Sequence, residues 1–339
     1  MDIKKEAQHC NADASKNNNI LLQQNDNIYD KSTQQADQEI IRKFEPKKQL
    51  SLIISSAYNY LGYDKKAINV AECGTFLEYH IYSDKARLNA ANFCKDRFCP
   101  MCNWRRSLKI YGQVSAIMDR LQEDNYRFLF LTLTAKNVYA DDLPNEIDVL
   151  QKSWAKLLKQ KRFKNVVCGT FKSLEVRKRD ELSGYHPHYH VILAVKPTYF
   201  KKDYISHAEW CNMWKSCCQL DYIPNVDIRT VKSKCNKGKK SISSVVAEVA
   251  KYAVKDSDII GSDGDIERIA NTLKDLMSAL NNRRLCSYTG CFKKVRQQLR
   301  LDDVENGDLL NVDANDDIRE DLEYIVVTYQ WKNGVYITE

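Results

Sequence analysis

Residues 184–195, GYHPHYHVILAV, limit the possible folds more than any other stretch. Three of the chain's six histidines, His186, His188 and His190, fall here at alternate positions. In a β-strand, side chains at i, i+2 and i+4 share a face, so the three imidazoles gather on one patch while Tyr189, Val191 and Leu193 turn the other way. The preceding run VVCGTFKSLEVRKR also has strand composition, and the polar turn DELSG between the two predicts a hairpin. Closing that hairpin brings Glu175 roughly opposite His188. Two neutral imidazoles and a carboxylate suit a divalent cation with open coordination positions. The plainer alternative is a row of surface histidines on a polar face.

The stretches around the hairpin set the fold class. YRFLFLTLTA, residues 126–135, is too continuously apolar for an exposed edge and predicts an inner strand. WRRSLKIYGQVSAIMDRLQ has helical spacing, with Leu108, Val114, Ile117 and Leu121 as its apolar side. AINVAECGTFLEYHIYS alternates in the manner of a strand, and a further strand is expected over 225–232. Helices are expected over 146–160, 206–219 and 242–256. YIVVTYQWKNGVYIT predicts a C-terminal hairpin turning at Asn333 and Gly334. Helices mixed with largely sequential hairpin strands indicate an α+β fold on an antiparallel sheet. At 339 residues the chain can bury one good core plus a small accessory module. The expected layout is a disordered polar segment over 1–48, a zinc-containing module with its following helix over 49–125, a core over 126–260, and a helical, acidic and hairpin region over 261–339.

No apolar run approaches the roughly 20 residues that cross a bilayer, and the first residues lack the apolar core of a secretory signal. A cytoplasmic location is therefore expected. In a reducing compartment twelve cysteines are poor candidates for disulfides, so an organised cluster reads as a metal site. Cys94, Cys99 and Cys102 form the run CKDRFCPMC, and Cys73 lies upstream in AECGTF. Four thiolates at about 2.3 Å would close a structural Zn²⁺ site; four buried free cysteines are the alternative. Cys10, Cys168, Cys211, Cys217, Cys218, Cys235, Cys286 and Cys291 lack ligand-like spacing and are expected as free thiols. Directly after the cluster, Trp104 is a candidate for base stacking and Arg105 and Arg106 for phosphate contacts, against the alternative of an ordinary solvated basic turn.

The net charge of +7 is unevenly spread. Basic residues crowd 151–180 and 232–240, whereas 301–323 is strongly acidic, so a polyanion suits the basic part. In AEVAKYAVKDSD, residues 247–258, helical spacing would align Glu248, Tyr252 and Lys255 on nearly one face. Alone, that triplet reads as a solvated helix face.

In company the stretches say more. FLTLT, HPHYHVIL and EVAKYAVK in that order, flanked by ANFCKDRFCPMCNWRR and GCFKKVRQQLRLDDVENGDLL, resemble the rolling-circle plasmid replication initiators of the Rep_1 type, within the HUH endonuclease superfamily. The likeness covers roughly residues 70–312. It implies a central antiparallel sheet of about five strands flanked by helices, with an N-terminal four-cysteine zinc module. It also implies that His188 and His190 form a metal pair for Mg²⁺ or Mn²⁺, joined by Glu175 if the hairpin register holds; the role of His186 stays open. Tyr252 becomes the nucleophile, helped toward its phenolate by Lys255, and Glu248 the carboxylate that activates water at the end of the cycle. The reaction so implied leaves a 5′-phosphotyrosyl bond and a free 3′-OH primer. The partners implied are plasmid origin DNA, as duplex binding site and single-stranded nick site, and the host helicase and DNA polymerase, with a homodimer left open and no membrane. A transposase or mobilisation relaxase, or a non-catalytic zinc-containing DNA-binding regulator, are the competing expectations.

Overall fold

The computed structural model describes residues 36–82, 85–178, 184–231, 242–250, 254–310, 312 and 323–338. In chain order these form α1 (36–60), α2 (Asp64–Glu72), β1 (Phe76–Ile81), β2 (Ala86–Ala91), α3 (Pro100–Glu123), β3 (Arg127–Thr134), α4 (Leu143–Leu157), α5 (Lys161–Val166), β4 (Val167–Lys178) and β5 (Tyr185–Val195). There follow α6 (His207–Cys218), β6 (Val226–Val231), α7 (Ile242–Val249), α8 (Asp256–Ile260), α9 (Ile266–Leu280), β7 (Cys286–Thr289), α10 (Gly290–Gln298), β8 (Ile325–Lys332) and β9 (Val335–Thr338). Two compact units result, one from the described residues of 1–49, 74–92 and 318–339, the other from those of 50–73 and 93–317.

In the first unit a four-stranded antiparallel sheet, ordered β2-β1-β8-β9, meets residues 36–49 of α1. Phe44 stands edge-on to Tyr79 at 6.2 Å, Tyr79 edge-on to Tyr329 at 6.0 Å, and the Tyr329 hydroxyl donates to Asp37. The Asn333–Gly334 turn joins β8 to β9 with φ of 53° and 86°, the doubly left-handed geometry that an Asn-Gly pair supplies. Three expectations are corrected. Residues 36–48 are helical rather than disordered, because Ile40 and Phe44, one helical turn apart, are buried among otherwise polar residues; residues 1–35 lie outside the described residues. The stretch expected as one strand, 67–83, begins as α2, whose Ala67 and Val70 are buried; the backbone turns at Gly74, φ 69°, before β1 starts. Spacing of three among small apolar residues fits a helix as well as a strand. Finally, β1 pairs with β8, so 74–92 and the C-terminal hairpin share a unit that the expected division at 125 and 261 separates. Such pairing joins residues remote in sequence, which local patterns do not encode.

In the second unit five strands run in the order β6-β3-β5-β4-β7, every neighbouring pair antiparallel. The expected strand and helix positions recur within a few residues, except that 242–256 is not one helix. Helix α7 ends at Val249, Lys255 is extended (φ −76°, ψ 141°), and α8 starts at Asp256. Acidic Asp256 and Asp258 in a first turn favour that new helix start. Residues 251–253 and the basic loop 232–240 lie outside the described residues. On α3, Val114, Ile117 and Leu121 are buried as expected, but Ile110 and Met118 complete the core side while Leu108 is half-buried.

The two faces of the central sheet differ in chemistry. Leu129, Leu131 and Leu133 of β3, Tyr189, Val191 and Leu193 of β5, and Lys172 and Leu174 of β4 share one face by register. Helix α4 covers it, with Trp154 against Tyr189 at 6.4 Å. The opposite face carries Phe128, Phe130, Thr132, His188, His190, Ile192, Phe171, Ser173 and Glu175. There Phe292 of α10 meets Phe128 at 6.3 Å and α7 packs on β5.

Lys172 is the anomaly of the apolar face. Its ammonium lies 3.9 Å from the centre of the Tyr189 ring and 5.8 Å from that of Trp154, yet burial pushes its pKa down to about 8. Between about pH 8 and the ordinary lysine range near 10.4, the unfolded chain keeps a proton that the folded one has released, so stability rises with pH across that window. Below it, holding the buried ammonium costs about 3 kcal/mol, less whatever the two rings return. Lys172→Met should therefore raise stability at neutral pH by about 1–3 kcal/mol and flatten the rise above pH 8. Urea unfolding at a series of pH values checks both; a variant less stable than the parent at pH 7 would contradict the assignment.

Candidate active site

The hairpin of β4 and β5 places Glu175 directly across from His188, and Ser173 across from His190. On the other side of β5, Thr134 faces His188 and Thr132 faces His190. His188, His190 and Glu175 are 7%, 6% and 2% exposed, so three ionisable groups share one buried pocket. His190 Nε2 lies 2.8 Å from Glu175 Oε2, His188 Nε2 lies 3.4 Å from the same oxygen, and the two Nε2 atoms are 3.2 Å apart.

Both rings are held from behind. Nδ1 of His188 stands 3.1 Å from the carbonyl oxygen of His186, which can only accept, so Nδ1 carries the proton. That leaves Nε2 as the ring atom turned toward the carboxylate. Nδ1 of His190 is 3.4 Å from Thr132 Oγ1, and the ring stacks on Phe130 at 5.5 Å. Burial by itself would raise the Glu175 carboxyl, but hydrogen bonds from His188 and His190 and their charge outweigh it and hold the group well below the usual carboxylate range. Its second oxygen, Oε1, is buried without a hydrogen-bond partner. Two anchored imidazoles, a carboxylate with an unsatisfied oxygen, and ligand atoms within 4.8 Å of one another fit a divalent cation.

Two of the other expected site residues approach this pocket. Glu248, on α7, brings Oε1 to 3.7 Å from His190 Nε2 while remaining about one-third exposed. Lys255 puts Nζ at 3.8 Å from Glu175 Oε1, but it does so from the extended segment ahead of α8 rather than from the helix carrying Glu248. Tyr252 lies outside the described residues. His186, at the rim, faces Asn137 Oδ1 at 2.8 Å and is not in the three-residue group. Thr132 and Phe130, which hold the His190 ring, were not among the expected site residues, although their alternate positions in FLFLTLT mark one face of β3.

The cysteines form a second group. Cys73 is the residue after α2, Cys99 immediately precedes α3 with Pro100 at its start, and Cys102 sits in that first turn. Cys94 comes from the loop between, where Lys95 adopts φ of 59°. Sγ of Cys102 is 3.6 Å from that of Cys73 and 3.7 Å from that of Cys94, and all four Sγ atoms lie within 4.8 Å. Backbone N–H groups of Cys94 and Asp96 donate to the sulfurs of Cys73 and Cys94 at 3.4 Å each. Hydrogen bonds that Cys102 makes as a donor to Cys73, Cys94 and Cys99 hold its thiol well above the usual range, and neighbouring thiolates repel unless a cation stands between them. The donor set suits a soft, tetrahedral ion. Among the described residues, Cys168, Cys211, Cys217, Cys218, Cys286 and Cys291 are free, as expected, whereas Cys10 and Cys235 lie outside them.

The expectation that Arg105 and Arg106 meet phosphates is corrected. They are 6% and 3% exposed and serve as internal clamps. Arg105 donates to the carbonyls of Leu309 and Leu310 at 2.9 and 2.8 Å. Arg106 donates to those of Glu305 at 3.2 Å, Asp96 at 3.0 Å and Lys95. Trp104 is half-buried with Arg105 over its ring at 5.6 Å. A guanidinium's five donors can satisfy several carbonyls that end a loop without a secondary-structure partner, which explains why arginines occupy these positions.

Comparison with known proteins bears on both groups. The sequence model of the Rep_1 family, described as replication protein, matches residues 85–337. "Protein rep" of Bacillus amyloliquefaciens is 38% identical over 286 residues, covering 80% of this chain and 84% of that protein. "Protein rep" of Streptococcus pneumoniae serotype 2 is 37% identical over 304 residues, 87% of this chain and 92% of its own. "Protein rep" of Lentilactobacillus hilgardii is 40% identical over 273 residues, 79% and 85% respectively. No solved structure gives a significant match.

Arg106→Ala strands three carbonyls around the cysteine loop and should cost about 2–4 kcal/mol of stability. Denaturant melts measure that loss. At a temperature where the variant stays folded, its affinity for DNA should match the parent's, and a large selective loss of affinity would restore the phosphate reading.

Proposed function

The chain belongs to the Rep_1 replication protein family, and on that premise we propose that it initiates rolling-circle replication of a plasmid by nicking one strand at the origin and later rejoining it. The observation that carries this reading is the buried convergence of His188, His190 and Glu175, with both rings anchored through Nδ1 and with Glu248 and Lys255 at its edge. A Mg²⁺ or Mn²⁺ ion held by these three residues would supply positive charge to the oxygens of the scissile phosphate.

The remaining steps fall to the chain's own groups. The Tyr252 hydroxyl, whose ordinary pKa is near 10, attacks the phosphorus in line; Lys255 favours the phenolate by its charge. The Tyr252 oxygen bonds to the 5′-phosphate, the P–O3′ bond breaks, and the 3′ oxygen leaves as a hydroxyl primer for the host DNA polymerase. The phosphotyrosyl bond conserves the energy of the phosphodiester for strand rejoining. At termination Glu248 accepts a proton from a water that, in place of a second tyrosine, cleaves the regenerated origin phosphodiester; the 3′-hydroxyl so freed attacks the phosphotyrosyl phosphorus, the bond to the Tyr252 oxygen breaks, and the strand is joined and the protein released. The target must be presented as a single strand, because a pocket this deep cannot reach a paired base step; a host helicase would extend that opening. The four cysteines hold a structural Zn²⁺, and the site of action is the cytoplasm, where plasmid DNA resides. Among the described residues no helix is long and apolar enough to cross a membrane.

On supercoiled plasmid carrying the cognate origin, with Mg²⁺ or Mn²⁺, the protein should yield nicked circles. His188→Ala and His190→Ala should each reduce nicking by at least about a hundredfold while duplex origin binding persists, since phosphate contacts elsewhere carry that binding. Undiminished nicking in the double variant would sink the metal assignment.

Tyr252→Phe should lose both nicking and the covalent DNA adduct on denaturing gels. Glu248→Ala should still nick and form the adduct but accumulate multimeric single strands. Normal termination by Glu248→Ala would remove its proposed role.

Elemental analysis should find about one zinc per chain, and Cys102→Ser should lose it together with much of the folding free energy. Folded, active protein without zinc would contradict this.

A further inference from the structure

Arg177 and Asp258 are joined beside the buried pocket, and nothing in the chemistry above uses them. Arg177 follows Glu175 by two residues on β4, so it projects from the same face, where the register sets it opposite His186 at the rim. Its Nε donates to Asp258 Oδ2 at 2.6 Å. Its Nη1 stands 3.8 Å from Glu175 Oε1, the buried oxygen that no hydrogen bond satisfies, and Lys255 Nζ stands 3.8 Å from that same oxygen. The Asp258 side chain is 7% exposed, that of Arg177 39%.

These figures describe a guanidinium held by one edge. Of its five N–H donors, the bond to Asp258 occupies one, and the approach to Glu175 is longer than a hydrogen bond. Asp258 thereby fixes the plane of the group while its outer edge meets solvent. A purely structural ion pair tying α8 to β4 would account for Asp258. It would not account for a second cation, Lys255, converging on the same carboxylate oxygen. The charges bear on the point: Arg177 and Lys255 face the three carboxylates of Glu175, Asp258 and Glu248, so a divalent ion bound by the histidines turns this rim net positive. A planar, oriented guanidinium on a positive rim matches a phosphodiester.

We propose that Arg177, oriented by Asp258, binds the phosphodiester next to the scissile one on the single DNA strand entering the pocket. The inference rests on the function proposed above and assigns the strand a second anchor.

Fluorescence anisotropy with a fluorescein-labelled oligothymidylate, which lacks the origin nick site, at a fixed Mg²⁺ concentration and across a salt series tests it. Arg177→Ala should weaken binding about tenfold and flatten the slope of log affinity against log salt by about 0.7, as loss of one phosphate contact to a single strand requires. Asp258→Asn keeps the arginine's charge and should leave the slope near the parent's while affinity falls less. In the nicking assay, Arg177→Ala should raise KM about tenfold with little change in kcat, and Arg177→Lys should restore the salt slope but only part of KM. If Arg177→Ala melts at the assay temperature, Arg177→Gln, which retains the stem and a donor for Asp258, carries the same comparison. A salt slope and KM equal to the parent's in a folded variant would overturn the proposal, as would equal losses in Arg177→Ala and Asp258→Asn that track only their melting temperatures. A parent protein that nicks with an Arg177-independent slope overturns this inference alone. A parent that binds DNA through Arg177 yet never nicks overturns the proposed reaction instead.

Discussion

Everything in the second unit is arranged around the pairing of β4 with β5. That ladder sets Glu175 across from His188 and buries both with His190, where an unsatisfied charge would be prohibitively costly. The pocket avoids that cost by mutual satisfaction: Nδ1 of each ring is anchored by His186 or Thr132, and Glu175 Oε2 accepts from the Nε2 side. A one-residue slip of β5 would send His188 and His190 to the apolar face against α4, away from Glu175. The register is correspondingly overdetermined, since Tyr189, Val191 and Leu193 fill the opposite side and Trp154 closes it.

A sheet with one wet-chemistry face and one dry face asks different things of its covers. On the dry side, large aromatic residues from α4, α5 and α6 interlock, with Phe163 edge-on to both Trp154 and Trp210. On the other, α7 and the segment leading into α8 reach the pocket with polar ends, Glu248 and Lys255, rather than sealing it. The three ligand residues are thus buried while Glu248 and Lys255 at their edge stay about one-third exposed.

The cysteine group and the arginines of α3 are linked by the same economy. The loop from Cys94 to Cys99 makes few regular backbone bonds, so its carbonyls at Lys95 and Asp96 accept from Arg106, whose guanidinium also donates to the carbonyl of Glu305. Arg105 does the same for Leu309 and Leu310. The acidic region near 302–310 therefore meets basic α3 directly, with Lys109 bonded to Asp302 at 2.7 Å. Part of the charge asymmetry in the sequence is internal complementarity rather than a surface for a polyanion.

Local periodicity was enough to place β3, β4, β5 and β6, the alternate faces of β5 and the Asn333–Gly334 turn. Each depends on residues a few positions apart whose geometry the backbone repeat dictates. The sequence could not show which second partner β1 would choose, because β8 lies near the opposite end of the chain. Nor could it show that Arg105 and Arg106 are buried, since a basic turn reads the same whether its donors meet solvent or distant carbonyls. The same holds for the break between α7 and α8, where Lys255 leaves the helical phase expected of it and comes to Glu175 from a separate segment, and Asp258 of α8 comes to Arg177. The reason in each case is that contacts between residues far apart in the chain are chosen by the sum of burial and hydrogen bonding over the whole unit, a quantity that no window of sequence contains.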